Sequence, residues 1–117
     1  MPSYTAPLRD MQFVLHEVLG VQSVFKSLPA HKDIDQDTVN QILEQAAKFA
    51  KEVVQPLNQQ GDKQGCTRHP DGTVTTPDGF KEAYEQYVEA GWPSLACNPE
   101  HGGQGLPVLL NTALYEM

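Results

Sequence analysis

Two cysteine–histidine pairs are the residues whose types and spacing could bind a metal ion. Cys66 and His69 are separated by two residues, and Cys97 and His101 by three. Thiolate and imidazole groups are the ligands of tetrahedral zinc, and four of them would complete one site. His69 lies beside a predicted turn, however, and a free cysteine such as Cys97 is also a common small core residue. We therefore expect that the two pairs do not converge, and a structural zinc module ranks third among our interpretations.

A glycine cluster is the second feature that could hold a ligand. Gly102, Gly103 and Gly105 permit positive φ angles or a close approach of backbone. The order GGQG matches neither a dinucleotide-binding nor a phosphate-binding loop, and no predicted strand precedes it. We interpret it as an architectural turn within the segment from Gly91 to Pro107, GWPSLACNPEHGGQGLP. That segment contains the end of one helix and the start of the next, so we expect it to fix how these helices are arranged.

No side chain stands out as a catalyst. His16, on the first predicted helix, is interpreted as a surface or partner-facing residue, and His31 as a loop residue. No two carboxylates are singled out by spacing and apolar setting, as acid–base pairs require. Trp92, Tyr84 and Tyr87 are interpreted as core residues rather than as a stacking platform. The predicted catalytic, cofactor-binding and metal-binding residues are therefore none.

Length and charge limit the class of protein. A chain of 117 residues and 12.9 kDa predicts one domain, with about 6,300 Å² of surface if it is compact. The net charge of −7 excludes a basic face for nucleic acid. No membrane span is predicted, because the most apolar N-terminal stretch is broken by His16 and Glu17. Two cysteines without a secretory signal favour a cytoplasmic protein.

The helices are predicted from apolar periodicity. The first runs from Leu8 to Gly20, and Phe13 and Leu19 widen its apolar stripe, as expected for a helix clamped between two surfaces. Residues 22–32 are predicted to form a connector. A cap at Asp35 or Asp37 starts a long helix from about residue 36 to residue 58. Pro56 is expected to kink this helix or to end it within a turn, and residues 59–65 to form a polar link.

The second half is predicted to contain a small hairpin and two further helices. Asp71 and Gly72 are typical of a hairpin turn near 66–76, and such a hairpin must rest on other elements. Thr76 is predicted to cap the next helix, which ends before Gly91. The last helix, 108–117, is apolar almost all round and has no stop signal, which suggests a fragment. The fold class is therefore all-α with about four helices and one hairpin, and apolar surface is expected to stay uncovered on the 108–117 side.

Several motifs resemble one enzyme family. FAKEVVQPLNQQGDKQG, the helix ending in EAGW and above all NPEHGGQGLP resemble the N-terminal domain of acyl-CoA dehydrogenases. The opening MPSYTAPLRDMQFVLHEVLG is similar to the extra N-terminal segment of a subgroup that acts on 3-methylmercaptopropionyl-CoA and related thioesters. The resemblance implies an extension at 1–34, with one helix and a connector. It also implies an N-terminal helical domain at 35–117 that is truncated at its C-terminal end.

The resemblance also implies a chemistry that this chain does not carry. Family members are flavoproteins of fatty acid metabolism that remove two hydrogens from an acyl-CoA thioester with FAD and a C-terminal-domain glutamate. They pass the electrons to an electron-transferring flavoprotein, and a homo-oligomer is expected. None of those catalytic or flavin-binding motifs occurs here, so we expect an inactive N-terminal fragment without bound FAD. The alternative is a stand-alone helical interaction module, which would be a stable monomer of this length.

Overall fold

Six α-helices and one short hairpin make up the part of the chain that the computed structural model describes, residues 3–117. The helices are α1 (Leu8–Phe13), α2 (Val21–Ser27), α3 (Gln36–Phe49), α4 (Gln55–Gln64), α5 (Phe80–Glu89) and α6 (Val108–Glu116). The strands β1 (Thr67–Arg68) and β2 (Val74–Thr75) pair antiparallel, with Thr67 opposite Thr75. The prediction of an all-α fold with one small hairpin is confirmed.

The core lies where α1, α2, α3 and α6 meet. Val39, Leu43 and Ala46 are spaced at three and four residues on α3, and each is almost completely buried. They pack in one cluster with side chains from the N-terminal helices, the turn after α5 and α6: Leu15, Val21, Phe25, Trp92, Leu95 and Leu110. Residues from both sides of position 34 thus contribute to one core, and a domain boundary at residue 34 stays a prediction.

The helix α4, the hairpin and the helix α5 extend away from this core. Neither α4 nor α5 has a buried residue, and both hairpin strands are exposed. The molecule measures 56 × 37 × 17 Å, and its radius of gyration is 17.2 Å, against about 13 Å for a compact domain of this length. Its surface is 8068 Å², roughly 1,800 Å² more than the compact value. The chain is therefore more extended than a compact domain of the same length.

The sequence allowed the long central helix to end within a turn of Pro56, but in the structure it continues. A π-helical turn at Ala50–Val54 joins α3 to α4, and the helical path continues to Gln64. The amide of Gln55 donates to the carbonyl of Ala50, five residues earlier. Proline has no backbone N–H to donate, and its ring clashes with the carbonyl four residues before it. The π-helical turn directly before Pro56 changes the spacing of those carbonyls. The predicted polar link at 59–65 is accordingly wrong, because most of it is α4.

Two other sequence predictions differ from the structure. The connector predicted at 22–32 contains α2, whose Val21 and Phe25 bury one face four residues apart. The helix predicted to be capped by Thr76 begins later, at Phe80, after Gly79 in a left-handed conformation with φ of 84°. The stop positions are confirmed: Gly20 and Gly91 have φ of 57° and 81°. Glycine takes these angles without the steric penalty of a side chain.

Removal of the Asp35 cap is expected to destabilise the chain more at neutral than at acid pH. Asp35 Oδ1 accepts from the amide of Thr38 at 2.7 Å. Hydrogen bonds from Thr38 hold the pKa of Asp35 below its ordinary value. A lowered folded-state pKa adds stability above the unfolded pKa, and that stability is lost as the pH falls through the folded value. Asp35→Ala should therefore lower the melting temperature at pH 7, and this deficit should shrink below about pH 4.

Asp37→Ala is the matched control for the cap, because Asp37 was the other cap candidate and lies inside the first turn of α3. It removes one carboxylate without removing the Thr38 hydrogen bond. Thermal melts followed by circular dichroism at several pH values measure both variants. A deficit for Asp35→Ala that is the same at pH 7 and pH 3, or equal to that of Asp37→Ala, would contradict the cap.

Candidate functional site

The segment Gly91–Pro107 folds back on itself through backbone hydrogen bonds. The amide of Gln104 donates to Ser94 at 3.0 Å and that of Leu106 to Leu95 at 3.0 Å. The side-chain amide of Gln104 also reaches the carbonyl of Gly91 at 2.7 Å. Leu95 is buried in the core cluster. The two limbs of the segment are therefore fastened together above α3.

The glycines of this segment have either a positive φ angle or a close contact with backbone, the two reasons for glycine inferred from the sequence. Gly102 and Gly105 have φ of 83° and 65°. Gly103 instead lies against the carbonyl group of Cys97, where a side chain would collide with backbone. The amides of all three glycines donate to carbonyl oxygens within the segment, at 2.9 to 3.1 Å. Since none of these amides is left to bind an anion, the architectural interpretation is favoured over a phosphate cradle.

The two cysteine–histidine pairs have separate surroundings. His69 Nε2 lies 2.6 Å from the hydroxyl of Thr75 across the hairpin. Cys97 Sγ lies 3.8 Å from the carbonyl of Pro93. Both Cys66 and Cys97 are exposed free thiols. Among residues 3–117 no three His, Cys, Asp or Glu side chains are grouped as metal ligands.

The hairpin is held together locally. Asp71 Oδ1 accepts from the amide and the hydroxyl of Thr73 at 2.9 and 2.7 Å. Hydrogen bonds from Thr73 lower the pKa of the Asp71 carboxyl. The expectation that the hairpin rests on other elements gains no support from its strands, whose residues are exposed.

His16, which the sequence suggested to be a surface or partner-facing residue, is half-buried and contacts α3. It lies in the π-helical turn Val14–Val18 that extends α1, and its Nε2 is 2.8 Å from Asn40 Oδ1 on α3. An amide oxygen only accepts, so Nε2 of His16 is the donor in this contact. His16 Nδ1 is then buried without a partner. The contact ties the N-terminal helix to the long helix and gives His16 a structural position.

The aromatic residues divide between core and surface. Trp92 is buried, and Tyr87 is half-buried with its ring 6.0 Å from that of Phe49. Burial, and then the neighbouring Tyr115, raise the pKa of the Tyr87 phenol. Tyr84 is 65% exposed, so its assignment to the core is wrong. His31 lies in a turn as expected, with its ring edge-on to Phe25 at 6.1 Å.

Two apolar grooves include residues near the C-terminal end of α6 in their lining. The first, here called the α1–α6 groove, has a volume of about 430 Å³ and is lined mainly by Met11, Val14, Leu15, Leu19, Leu109 and Ala113. The second, the α4–α5 groove, has a volume of about 480 Å³ and is lined mainly by Tyr4, Ala50, Val54, Leu57, Phe80, Ala83 and Met117. Large apolar side chains are also exposed on α1 and its π-helical extension, on α5 and on α6: Phe13, Val18, Tyr84, Val88, Val108 and Tyr115.

Sequence reasoning found part of this surface but not the grooves themselves. The wide apolar stripe of the first helix predicted two covering surfaces, and Phe13 and Leu19 are about half exposed because only one surface is present. The helical stripe predicted on α5 consists of Phe80, Ala83, Tyr84, Tyr87 and Val88. In the structure Ala83 and Tyr87 are half-buried, and the other three are exposed. The signal for burial was present in both helices. Uncovered apolar surface was expected on the 108–117 side, where Val108 and Tyr115 are each 69% exposed, but the exposure of α1 and α5 was not predicted.

Comparison with known proteins shows which family the chain is similar to. No protein-family model matches the chain. The chain is 37% identical over 115 residues to 3-methylmercaptopropionyl-CoA dehydrogenase of Ruegeria pomeroyi, a match that covers 98% of the chain and 19% of that enzyme. It is 30% identical over 117 residues to a broad-specificity linear acyl-CoA dehydrogenase of Mycobacterium tuberculosis, over 99% of the chain and 19% of the enzyme.

A butyryl-CoA dehydrogenase of Syntrophomonas wolfei is 33% identical over 118 aligned positions, which cover 98% of the chain and 19% of that enzyme. The chain thus spans about a fifth of the length of the curated relatives that it matches. None of the helices within residues 3–117 has the length and hydropathy of a membrane-spanning segment. From end to end, the chain belongs to the acyl-CoA dehydrogenase family, and its fold matches the N-terminal helical domain of these enzymes.

Proposed function

We propose that this chain is the N-terminal helical part of a flavin-dependent acyl-CoA dehydrogenase and that it is inactive alone. The observation that carries the proposal is the match of 98% of the chain to only 19% of a relative of that class. The excess surface of the chain agrees with it, since a part of a larger enzyme is covered by the remainder. The full-length enzyme would catalyse the α,β-dehydrogenation of an acyl-CoA thioester.

The further properties of the full-length enzyme follow from its family. We propose FAD as its cofactor, an electron-transferring flavoprotein as its acceptor and a homo-oligomeric assembly. The name of one relative makes 3-methylmercaptopropionyl-CoA one candidate substrate, and the names of the others make linear acyl-CoA thioesters the wider class. A cytoplasmic location is supported by the two free cysteines.

The two apolar grooves and the glycine segment do not fit a flavin dinucleotide by themselves. Bound diphosphates require amide donors or basic groups. Neither groove has Lys, Arg or His among its described lining residues, and Asp10 and Glu116 stand in the α1–α6 groove. The glycine amides of the Gly91–Pro107 segment already donate to its own carbonyls. We therefore assign flavin binding and proton abstraction to the parts of the enzyme outside these 117 residues.

The role left to this chain is to support those parts. Its core is small but tightly buried around α3, and the fastened Gly91–Pro107 segment fixes α6 relative to α5. The two grooves and the exposed stripe of α5 then present apolar faces in fixed directions. Rigid elements that present such faces are how a helical domain orients its neighbours in an enzyme.

A chimeric enzyme tests this proposal. The region of the Ruegeria pomeroyi enzyme that matches this chain would be replaced by the 117 residues. The chimera is expected to purify with stoichiometric flavin and to reduce a dye acceptor when acyl-CoA is added. The isolated chain should show neither property. The controls are the unmodified enzyme and a version in which the region is deleted.

A chimera that is soluble and unfolds cooperatively but retains no flavin and no activity would contradict the assignment. So would stoichiometric flavin on the purified 117-residue chain. Either outcome favours the alternative of a stand-alone interaction module or of a different role for the chain.

A further inference from the structure

The α1–α6 groove is long enough to bind one additional helix. It runs along α1 and its π-helical extension on one side and α6 on the other. Its N-terminal wall extends from Pro7 to Leu19, about 18 Å at the rise of a helix, which is roughly three turns. Val14 is 44% exposed and Leu19 is 52% exposed. A depression between two packed helices accepts the ridge of a third helix.

The charge around this groove is of one sign. Asp10 stands on the α1 side and Glu116 on the α6 side, and both are exposed. Among residues 3–117 the only ion pair joins Lys81 to Glu85, so neither carboxylate has an ionic partner within that range. Arg9 is the single basic residue of α1 and does not line the groove, and α6 has no basic residue. A ligand in the groove therefore lies between two unpaired negative charges.

We propose that the α1–α6 groove binds an amphipathic helix whose apolar stripe is flanked by lysine or arginine. The apolar anchors would follow the i, i+4, i+7 spacing of helix-in-groove recognition and contact Val14, Leu15 and Leu109. The basic residues would lie beside Asp10 and Glu116. The inference rests on the geometry and charge of this chain and does not depend on its enzyme class.

A second copy of the chain fits this groove less well. A symmetric pair that buried the groove of both copies would bring Asp10 and Glu116 of one copy close to the same carboxylates of the other, and like charges at an interface are unfavourable. The net charge of −7 adds to that repulsion. The α4–α5 groove has no charged side chain in its lining and offers pairing of apolar side chains without this penalty.

A labelled synthetic peptide tests the inference on the intact 117-residue chain. The probe is a helix of about 14 residues with leucine at the anchor positions and lysine beside them, and fluorescence anisotropy measures its Kd. The same peptide with glutamate in place of lysine is expected to bind at least about tenfold more weakly. The double variant Asp10→Asn/Glu116→Gln should weaken binding of the lysine peptide about three- to tenfold, the range for two exposed ion pairs.

The matched control is Asp62→Asn/Glu89→Gln, which changes the net charge equally at two positions that line neither groove. It should leave the Kd within about twofold. Equal weakening by both double variants, an equally tight glutamate peptide or no binding of the lysine peptide would overturn the inference. Dimerisation of the chain that strengthens with Asp10→Asn/Glu116→Gln would also overturn it, since the occupant would then be a second copy.

Discussion

Replacement of Gly103 by alanine is expected to lower the free energy of unfolding by about 3 kcal/mol, the upper part of the range for an overpacked site. The added Cβ would collide with the carbonyl group of Cys97, which is backbone and cannot rotate away. That carbonyl accepts from the amide of Gly105 at 2.9 Å, so its displacement also weakens the closure of the Gly91–Pro107 segment. Urea unfolding followed by circular dichroism measures the change.

Gly102→Ala is the matched control for this effect. Gly102 has φ of 83°, but no neighbouring atom lies within 4 Å of the position that an alanine Cβ would occupy, so alanine there meets strain without collision. The expected loss is about 1–2 kcal/mol, the penalty for a left-handed residue with a side chain. A loss for Gly103→Ala that is no larger than that for Gly102→Ala would mean that the close approach to Cys97 does not restrict position 103.

Truncation of Leu43 is expected to have an effect of similar size for a different reason. Leu43 is 1% exposed at the centre of the core cluster, between Val39 and Ala46 on α3. Leu43→Ala removes buried methyl groups and leaves a cavity, and such changes lower stability by about 2–5 kcal/mol. Because the core has few members, we expect about 3 kcal/mol or more, measured by the same urea titration.

Leu43→Met preserves most of the volume and should lower stability by less than about 1.5 kcal/mol. If Leu43→Ala costs no more than Leu43→Met, the α3 face is not the centre of the core, and the packing described for α1, α2 and α6 would need to be revised.

Local backbone chemistry was the most predictable part of this fold. Gly20 and Gly91 end helices because glycine adopts positive φ cheaply, and Asp35 caps α3 through a hydrogen bond that reaches only three residues along the chain. The Asp71–Gly72 turn is equally local. The need for glycine at 102, 103 and 105 was also evident from the sequence. The sequence did not show which of these positions needs a positive φ and which needs space for neighbouring backbone.

Features that depend on tertiary contacts were less predictable. The helix α2 was missed because only Val21 and Phe25, four residues apart, mark its buried face, and Pro29 follows soon after. Pro56 interrupts the intrahelical hydrogen bonds as expected, but the π-helical turn before it keeps the helix going. His16 is tied to Asn40, twenty-four residues away, and no spacing rule links the two.

The candidate surface shows the same division. Apolar patterning indicated which faces of α1, α5 and α6 favour burial, and the structure leaves Val18, Tyr84 and Val108 among the exposed side chains. The pattern does not show which part of a protein would cover these apolar faces. The homology does suggest its source, since the relatives are about five times as long as the matched region.

These apolar faces are built to be covered, and sedimentation velocity across a wide concentration range tests this most directly. The isolated chain is expected to self-associate through the α6 side as its concentration rises, with the uncharged α4–α5 groove and Met117 as the contact, and to bind a hydrophobic dye. Dye binding should fall when the same region is studied inside the chimeric enzyme. A monodisperse monomer at every concentration, without dye-binding surface, would contradict the account and identify a self-sufficient module.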